Sequence, residues 1–239
     1  MSGKEKERYI RQLGLEEWDQ AKLKSSRVFV AGVGGLGSAS SLYLAAAGVG
    51  CLRLCDPDRV ELPDLNRQVL YKEKSIGDLK VKKAKKRLSD LNPEIKVEAL
   101  AARIDMDNIE QLADGCDLLV DGLDNMETRL VLNSYAVQKR IPFIFGAVQG
   151  WEGMATLIHP PQTGCLACLM PSLPPPSGLI PVAGFVPGMI GLIQAAEACK
   201  HLMGVRDTIA GRLIIYDSRA LTFDVIAWGK NPGCSICGG

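Results

Sequence analysis

Short apolar runs alternate with amphipathic stretches through the first part of the chain. Residues 27–31, Arg-Val-Phe-Val-Ala, form an apolar run ending in glycines, the pattern of a strand buried on both faces. Residues 36–47 are small and alanine-rich and lead into Gly48, which predicts a helix with a glycine C-cap. Residues 52–55 predict a second strand, ending at Asp56. In residues 80–91, Val81, Ala84, Leu88 and Leu91 recur at the spacing of one helical face, and Asn92-Pro93 stops the helix. Further strands are predicted at 97–100, 118–120 and 143–145, with a helix over 127–140 before the last of them. Such alternation requires right-handed crossovers, so the expected fold is α/β, a mainly parallel sheet with helices on both faces. Ligands of these sheets sit beyond the carboxyl ends of the strands, which singles out the residues just after each strand.

Past residue 150 the pattern changes. A strand is predicted at 154–158, then a proline-rich loop over 171–187 and an apolar helix over 189–202. Two last strands, at 212–216 and 221–227, predict an antiparallel C-terminal extension of the same sheet. The expectation is therefore one domain over 1–239, with 1–150 and 151–239 as its two parts, behind a polar N-terminal arm.

Composition narrows the class. The 239 residues carry a formal charge of +1, so no global field points to nucleic acid or a membrane surface. The charged N-terminus lacks the apolar core of a signal peptide, and no run of apolar residues is long enough to span a bilayer. A cytoplasmic protein is expected. Of eight cysteines, Cys165/Cys168 and Cys234/Cys237 form two Cys-x-x-Cys pairs. In a reducing compartment these read as metal ligands before disulfides. Four thiolates with no histidine nearby to leave an open position predict a closed, structural zinc site of four cysteines.

Gly32-Val33-Gly34-Gly35-Leu36-Gly37 lies between the first predicted strand and its helix. Glycines there allow the tight turn and close backbone approach to phosphates, and the helix N-terminus favours anions, so a Rossmann-like site is expected at Gly34, Gly35 and Gly37. Asp56, after the next strand, is the expected ribose acceptor. NAD, FAD and ATP-derived ligands all use such a site.

What separates them is the charge placed after later strands. Expelling pyrophosphate from ATP needs cations for the leaving group and a carboxylate for Mg²⁺. This sequence offers Asp58, Asn66-Arg67-Gln68, Lys80 at a predicted helix start, and Asp124-Asn125 followed by Arg129. A lysine at a helix N-terminus opposes the macrodipole by about 0.3–1 kcal/mol, which points to an anionic partner.

Taken in order, Arg8-Tyr9-Ile10-Arg11-Gln12, the glycine loop, Asp56-x-Asp58, Leu65-Asn66-Arg67-Gln68, Lys80, Asp124-Asn125-x-x-x-Arg129 and both cysteine pairs resemble the MoeB/ThiF/HesA family, relatives of the ubiquitin-activating enzymes. The resemblance spans almost the whole chain. It implies an ATP-dependent adenylyltransferase acting on the C-terminal glycine of a ubiquitin-like sulfur-carrier protein. By the same resemblance Asp56 holds the ribose, Arg67 and Lys80 clamp the triphosphate, Asp124 holds Mg²⁺, and Asn66 and Asn125 shape the pocket. Arg11 would reach across a homodimer into the neighbouring site. Residues 1–150 are then the nucleotide-binding part, and 151–239 the zinc-bearing, carrier-docking part.

Two departures stand out. Thioester-forming members place a cysteine in the loop that here runs over 171–187, and this loop has none, so the acyl-adenylate itself is expected to pass to a sulfur donor such as a cysteine desulfurase or rhodanese. Pro63-Asp64 stands where the family pattern resembles Ser-Asn, which puts either Mg²⁺ assistance or charge repulsion at the nucleotide. Three other readings stay open: a dinucleotide-dependent oxidoreductase, a catalytically silent nucleotide-binding scaffold for a ubiquitin-like partner, and adenylation of a different carboxylate, such as a peptide terminus or a modified tRNA base.

Overall fold

The computed structural model describes residues 1–172 and 180–238. Eight strands form one sheet in the order β3-β2-β1-β4-β5-β6-β7-β8. They are β1 (Arg27–Ala31), β2 (Cys51–Cys55), β3 (Lys96–Leu100), β4 (Leu118–Asp121), β5 (Phe143–Gln149), β6 (Glu152–Ile158), β7 (Arg212–Asp217) and β8 (Thr222–Ala227). Strands β1 to β5 pair in parallel, and β6, β7 and β8 extend the sheet antiparallel. The expected α/β architecture, with its antiparallel C-terminal extension, is the one observed.

Helices α4 (Gly35–Ala47), α5 (Lys80–Leu91) and α9 (Phe185–Met203) share one apolar core. A second core joins α6 (Ile109–Ala113), α7 (Met126–Lys139) and α8 (Leu166–Leu169). Alternate residues of β1 divide between them: Val28 and Val30 enter the first core, Phe29 and Ala31 the second. This period-2 division explains why a strand covered on both faces reads as a continuous apolar run. The helix stops also follow local chemistry. Gly48 ends α4 at φ +87°, and Asn92 ends α5 before proline.

The N-terminal segment differs from the expected arm. It forms α1 (Gly3–Arg8), α2 (Ile10–Leu13) and α3 (Gln20–Ser25). Ser2 and Glu5 make a capping box, and the buried Glu5 pairs with Lys24 at 2.6 Å. Tyr9 is buried against Gly48, and its hydroxyl accepts from Asn92 Nδ2 at 2.8 Å. Charged residues alternate with these anchors, so the composition looks solvated while the segment is tied down.

No helix among the described residues is long and apolar enough to cross a membrane.

Candidate functional site

Sheet order reverses between β1 and β4, and the loops leaving their carboxyl ends meet there. Gly32 leaves β1 at φ +82°, and a Cβ on it would lie 2.6 Å from the carbonyl oxygen of Gly122 in the loop after β4. One on Gly37 would lie 2.0 Å from the oxygen of Gly32. Backbone contact this close requires glycine. Gly34 is the N-cap of α4 and brings no side chain, so the first-turn N–H groups of α4 keep no side-chain cap. Gly35 borders Arg67, whose Cγ would lie 3.6 Å from an added Cβ.

Asp56 follows β2 and is buried. Its carboxylate accepts the backbone N–H groups of Val33 and Asp58, each at 2.8 Å, which binds the glycine loop to the segment after β2. Burial pushes its carboxyl above the usual range, while those two hydrogen bonds and Lys80 pull it back.

Beside it, a cavity of about 280 Å³ is lined by Arg67, Lys80 and Asp124 together with Asp58, Asp64 and Gln68; Arg59 and Glu61 complete its lining. Lys80 opens α5 with its side chain only 8% exposed, its ammonium 3.4 Å from Asp64 and 3.5 Å from Asp58. The α5 wet face supplies the other lysines, but Lys80 turns inward because its backbone N–H is fixed to Asp58 O at 2.9 Å. Asp64 is buried as well. Its oxygens accept from the Glu61 N–H at 2.9 Å and from Gln68 Nε2 at 2.7 Å, and Arg67 Nη2 lies 3.8 Å away. Gln68 Oε1 is buried without a partner among the described residues, an idle acceptor on the cavity wall.

Below Asp124 the loop after β4 is braced from within. Asp121 is fully buried, and Arg129 of α7 donates to it through Nε at 2.9 Å. Nη2 of Arg129 donates to Leu123 O at 2.6 Å and Gly146 O at 3.0 Å, while Asp121 accepts the Leu123 N–H at 2.9 Å. Gln194 of α9 donates to Asp121 O at 2.8 Å. The residue next to Leu123 is Asp124, so these bonds fix where its carboxylate emerges. Sequence reasoning quoted Arg129 without a role and missed Asp121 and Gln194. The signal available was an acidic residue and an arginine one helical turn into α7; Gln194 gave none.

The expected site residues therefore divide. Arg67, Lys80, Asp124 and Asp58 line the cavity; Asp56, Gly34, Gly35 and Gly37 do not, but Asp56 adjoins it through its bond to the Asp58 N–H, and Gly34 and Gly35 through their approach to Gln68 and Arg67. Asn66 is exposed, its Oδ1 accepting from Arg67 Nη1 at 3.1 Å. Asn125 caps α7, its Oδ1 accepting the Thr128 N–H at 2.9 Å, while its amide lies 3.3 Å from Asp124. Arg11 is exposed on α2 and does not line this cavity. The loop over 171–187 lies partly outside the described residues; its return passes Asn66, with Gly184 so close that an added Cβ would sit 2.3 Å from the Asn66 oxygen.

The four cysteines converge. Cys165, Cys168, Cys234 and Cys237 place their sulfurs all within 4.8 Å of one another. Cys165–Cys234 and Cys168–Cys237 approach to 3.6 and 3.4 Å, and Cys165–Cys168 to 4.0 Å. A tetrahedron of Zn–S bonds of about 2.3 Å has sulfur–sulfur edges of about 3.8 Å, so the donor set fits that metal. Asn133 of α7 accepts the Leu166 N–H at 2.7 Å and so holds α8, and Asn231 accepts the Gly233 N–H at 2.9 Å in the second cysteine turn. The backbone N–H of Cys237 lowers the Cys234 thiol, while burial raises Cys165 and Cys237.

Residues 7–236 match the ThiF family. The chain belongs to the ThiF family. This ThiF-family chain is 39% identical over 241 residues to the SAMP-activating enzyme E1 of Haloferax volcanii, covering 97% of the chain and 88% of that relative. It is 39% identical over 248 residues to the sulfur carrier protein adenylyltransferase of Thermus thermophilus, at 98% and 91% coverage. Among solved structures, E. coli MccB with MccA-N7isoASN is similar at a TM-score of 0.87 and 26% identity, covering 100% of this chain and 76% of that one. MccB with ATP is similar at a TM-score of 0.80 and 28% identity, covering 92% and 68%.

Proposed function

We propose that this ThiF-family chain is an ATP-dependent adenylyltransferase that forms an acyl-adenylate on the C-terminal glycine of a ubiquitin-like sulfur-carrier protein. One observation carries the reading: Arg67, Lys80 and Asp124, from three separate segments, line one cavity beside the glycine loop. An oxidoreductase needs no such set. The names of the Haloferax and Thermus relatives support the substrate class, and the solved MccB–ATP complex supports the nucleotide.

In this reading the carrier's terminal carboxylate oxygen attacks the α-phosphorus of ATP. A bond forms between them, the bond from the α-phosphorus to the bridging oxygen breaks, and pyrophosphate leaves with that electron pair. No general base is needed, because the carboxylate is ionised at neutral pH. Asp56 holds the ribose hydroxyls, the N–H groups of α4 face phosphate oxygens, and Arg67 and Lys80 neutralise the charge that grows on the leaving group. Asp124, with Asp58 at the same wall, would hold Mg²⁺, which when bound supplies charge stabilisation on the phosphates. Arg11 acts from the partner of a homodimer. The cysteine cluster holds zinc in a structural role, and a separate sulfur donor, a desulfurase or rhodanese, takes the adenylate onward in the cytoplasm.

For the carrier, β8 offers an exposed apolar edge: Phe223 is 50% and Val225 57% exposed. An edge strand of this kind accepts another chain readily.

The test is exchange of labelled pyrophosphate into ATP, with and without a carrier ending in Gly-Gly. Carrier-dependent exchange is expected, reduced about 100-fold or more in Asp124→Ala and Lys80→Ala. Absence of exchange with every carrier, alongside intact nucleotide binding, would favour the silent scaffold.

A further inference from the structure

We propose that Asp64 makes this cavity select the divalent-metal complex of a nucleoside triphosphate over the free triphosphate. The inference rests on the nucleotide-binding part of the adenylyltransferase reading of the same cavity, not on its chemistry. It starts from charge. The lining from one chain carries three cations, Arg59, Arg67 and Lys80, against four carboxylates, so its formal balance is one negative charge, and the partner's Arg11 would bring it only to neutral, where a phosphate binder would ordinarily be positive.

Asp64 is the carboxylate that decides the matter, because it cannot leave. Asp58 is 65% exposed and free to turn toward solvent. The side chain of Asp64 is 10% exposed and held by the Glu61 N–H and by Gln68 Nε2 at 2.9 and 2.7 Å. It sits against both cations meant for the triphosphate, 3.4 Å from Lys80 and 3.8 Å from Arg67. A phosphate oxygen approaching either cation therefore meets a fixed negative charge within the same few ångströms. Buried charges of this kind are poorly screened by salt. The idle, buried Oε1 of Gln68 adds a second electron-rich group on that wall, which accepts from water or a hydroxyl and repels a bare phosphate oxygen.

A free triphosphate brings about four negative charges; its complex with one divalent metal brings two fewer. The cavity offers too little positive charge for the first and enough for the second. Asparagine at position 64 would keep the shape and an acceptor for the Glu61 N–H while removing the charge.

The experiment measures the dissociation constant of ATP by calorimetry, without carrier and hence without turnover, in excess Mg²⁺ and in EDTA. The wild-type chain is expected to prefer the magnesium complex strongly. In D64N the ratio of the two constants falls at least tenfold, about 1.4 kcal/mol, mainly because free ATP binds more tightly, while the magnesium complex stays within about threefold. D64S, which also removes the charge, gives the same direction should D64N melt early. A residue acting only as a strut for Lys80 and Arg67 would weaken both forms alike. Equal weakening, or an unchanged ratio, overturns the proposal. Since binding needs no carrier, a chain that binds ATP yet shows no pyrophosphate exchange sinks the enzymatic reading and leaves this one standing.

Discussion

Arg129 shows what a single side chain does for the site. It lies against a fully buried carboxylate, Asp121, and donates into the loop that presents Asp124. Burial pushes the Asp121 carboxyl upward and the guanidinium opposes it. Replacing Arg129 by methionine removes the counter-charge and leaves Asp121 alone in the core, a change that costs about 3–5 kcal/mol. Guanidinium unfolding of R129M is expected to show that loss, and the double variant D121N/R129M to recover part of it. An unchanged midpoint would mean that the pair contributes nothing. Sequence reasoning reached the motif around Arg129 but not this job, because burial is a property of the neighbours: Gly146 and Gln194, which complete the network, are about 17 and 65 residues further along. Asn125 is the same lesson in milder form. As a candidate pocket residue it was legible from its place after β4; the hydrogen bond from the Thr128 N–H shows that its oxygen caps α7.

At the scale of elements, α9 and the turn that follows β6 bring together the chain's two histidines, His201 and His159. Their rings meet edge to face, with centroids 4.8 Å apart. Burial lowers both, and His159 adds to the effect on His201, which falls to about 4. A histidine with a pKa below its unfolded value near 6.5 binds fewer protons when folded. Its contribution to stability is therefore whole above about 6.5 and drains away as pH falls toward 4. The melting temperature is expected to drop through that window, and H201L to flatten the drop relative to the wild type; parallel curves for the two proteins would refute the assignment. The central strands were legible because they are buried on both faces, and α5 because it is cleanly two-faced, whereas β8 is exposed along its whole length. The N-terminal helices were not legible, since α1 to α3 are short and charged and owe their order to long-range anchors such as Tyr9 on Asn92 and Arg8 on Leu91 O.

For the molecule as a whole, the ordered succession of motifs carried more than any one of them, and the sheet explains part of it: the glycine loop, Asp56-x-Asp58 and Asp124-Asn125 each follow a parallel strand, and parallel strands deliver their carboxyl ends to one end of the sheet. The antiparallel half has another organiser. Each sulfur pair that closes the cysteine cluster joins residues 69 positions apart, spanning β7 and β8. Closing a loop of that length stabilises by about 4 kcal/mol when a disulfide does it, and a metal held by four thiolates ties the chain in the same way. Purified protein is expected to carry one zinc per chain. Stripping it with a chelator is expected to lower the melting temperature by about 10 °C. Trp228 reports the event locally. Its indole donates to Thr156 Oγ1 at 3.1 Å and packs on Gly164, the residue before Cys165. Release of the cluster frees that ring, so tryptophan emission moves to the red, whereas Trp151, already 44% exposed, contributes little to the change. The candidate nucleotide cavity is lined by residues between 58 and 80 and by Asp124, at the β1–β4 reversal, and none of the four cysteines lines it. ATP binding without carrier is therefore expected to survive chelation within about threefold while carrier-dependent exchange is lost, because β8, the offered docking edge, leads directly into the second cysteine pair. Loss of both together would show that zinc supports the whole sheet and not its C-terminal half.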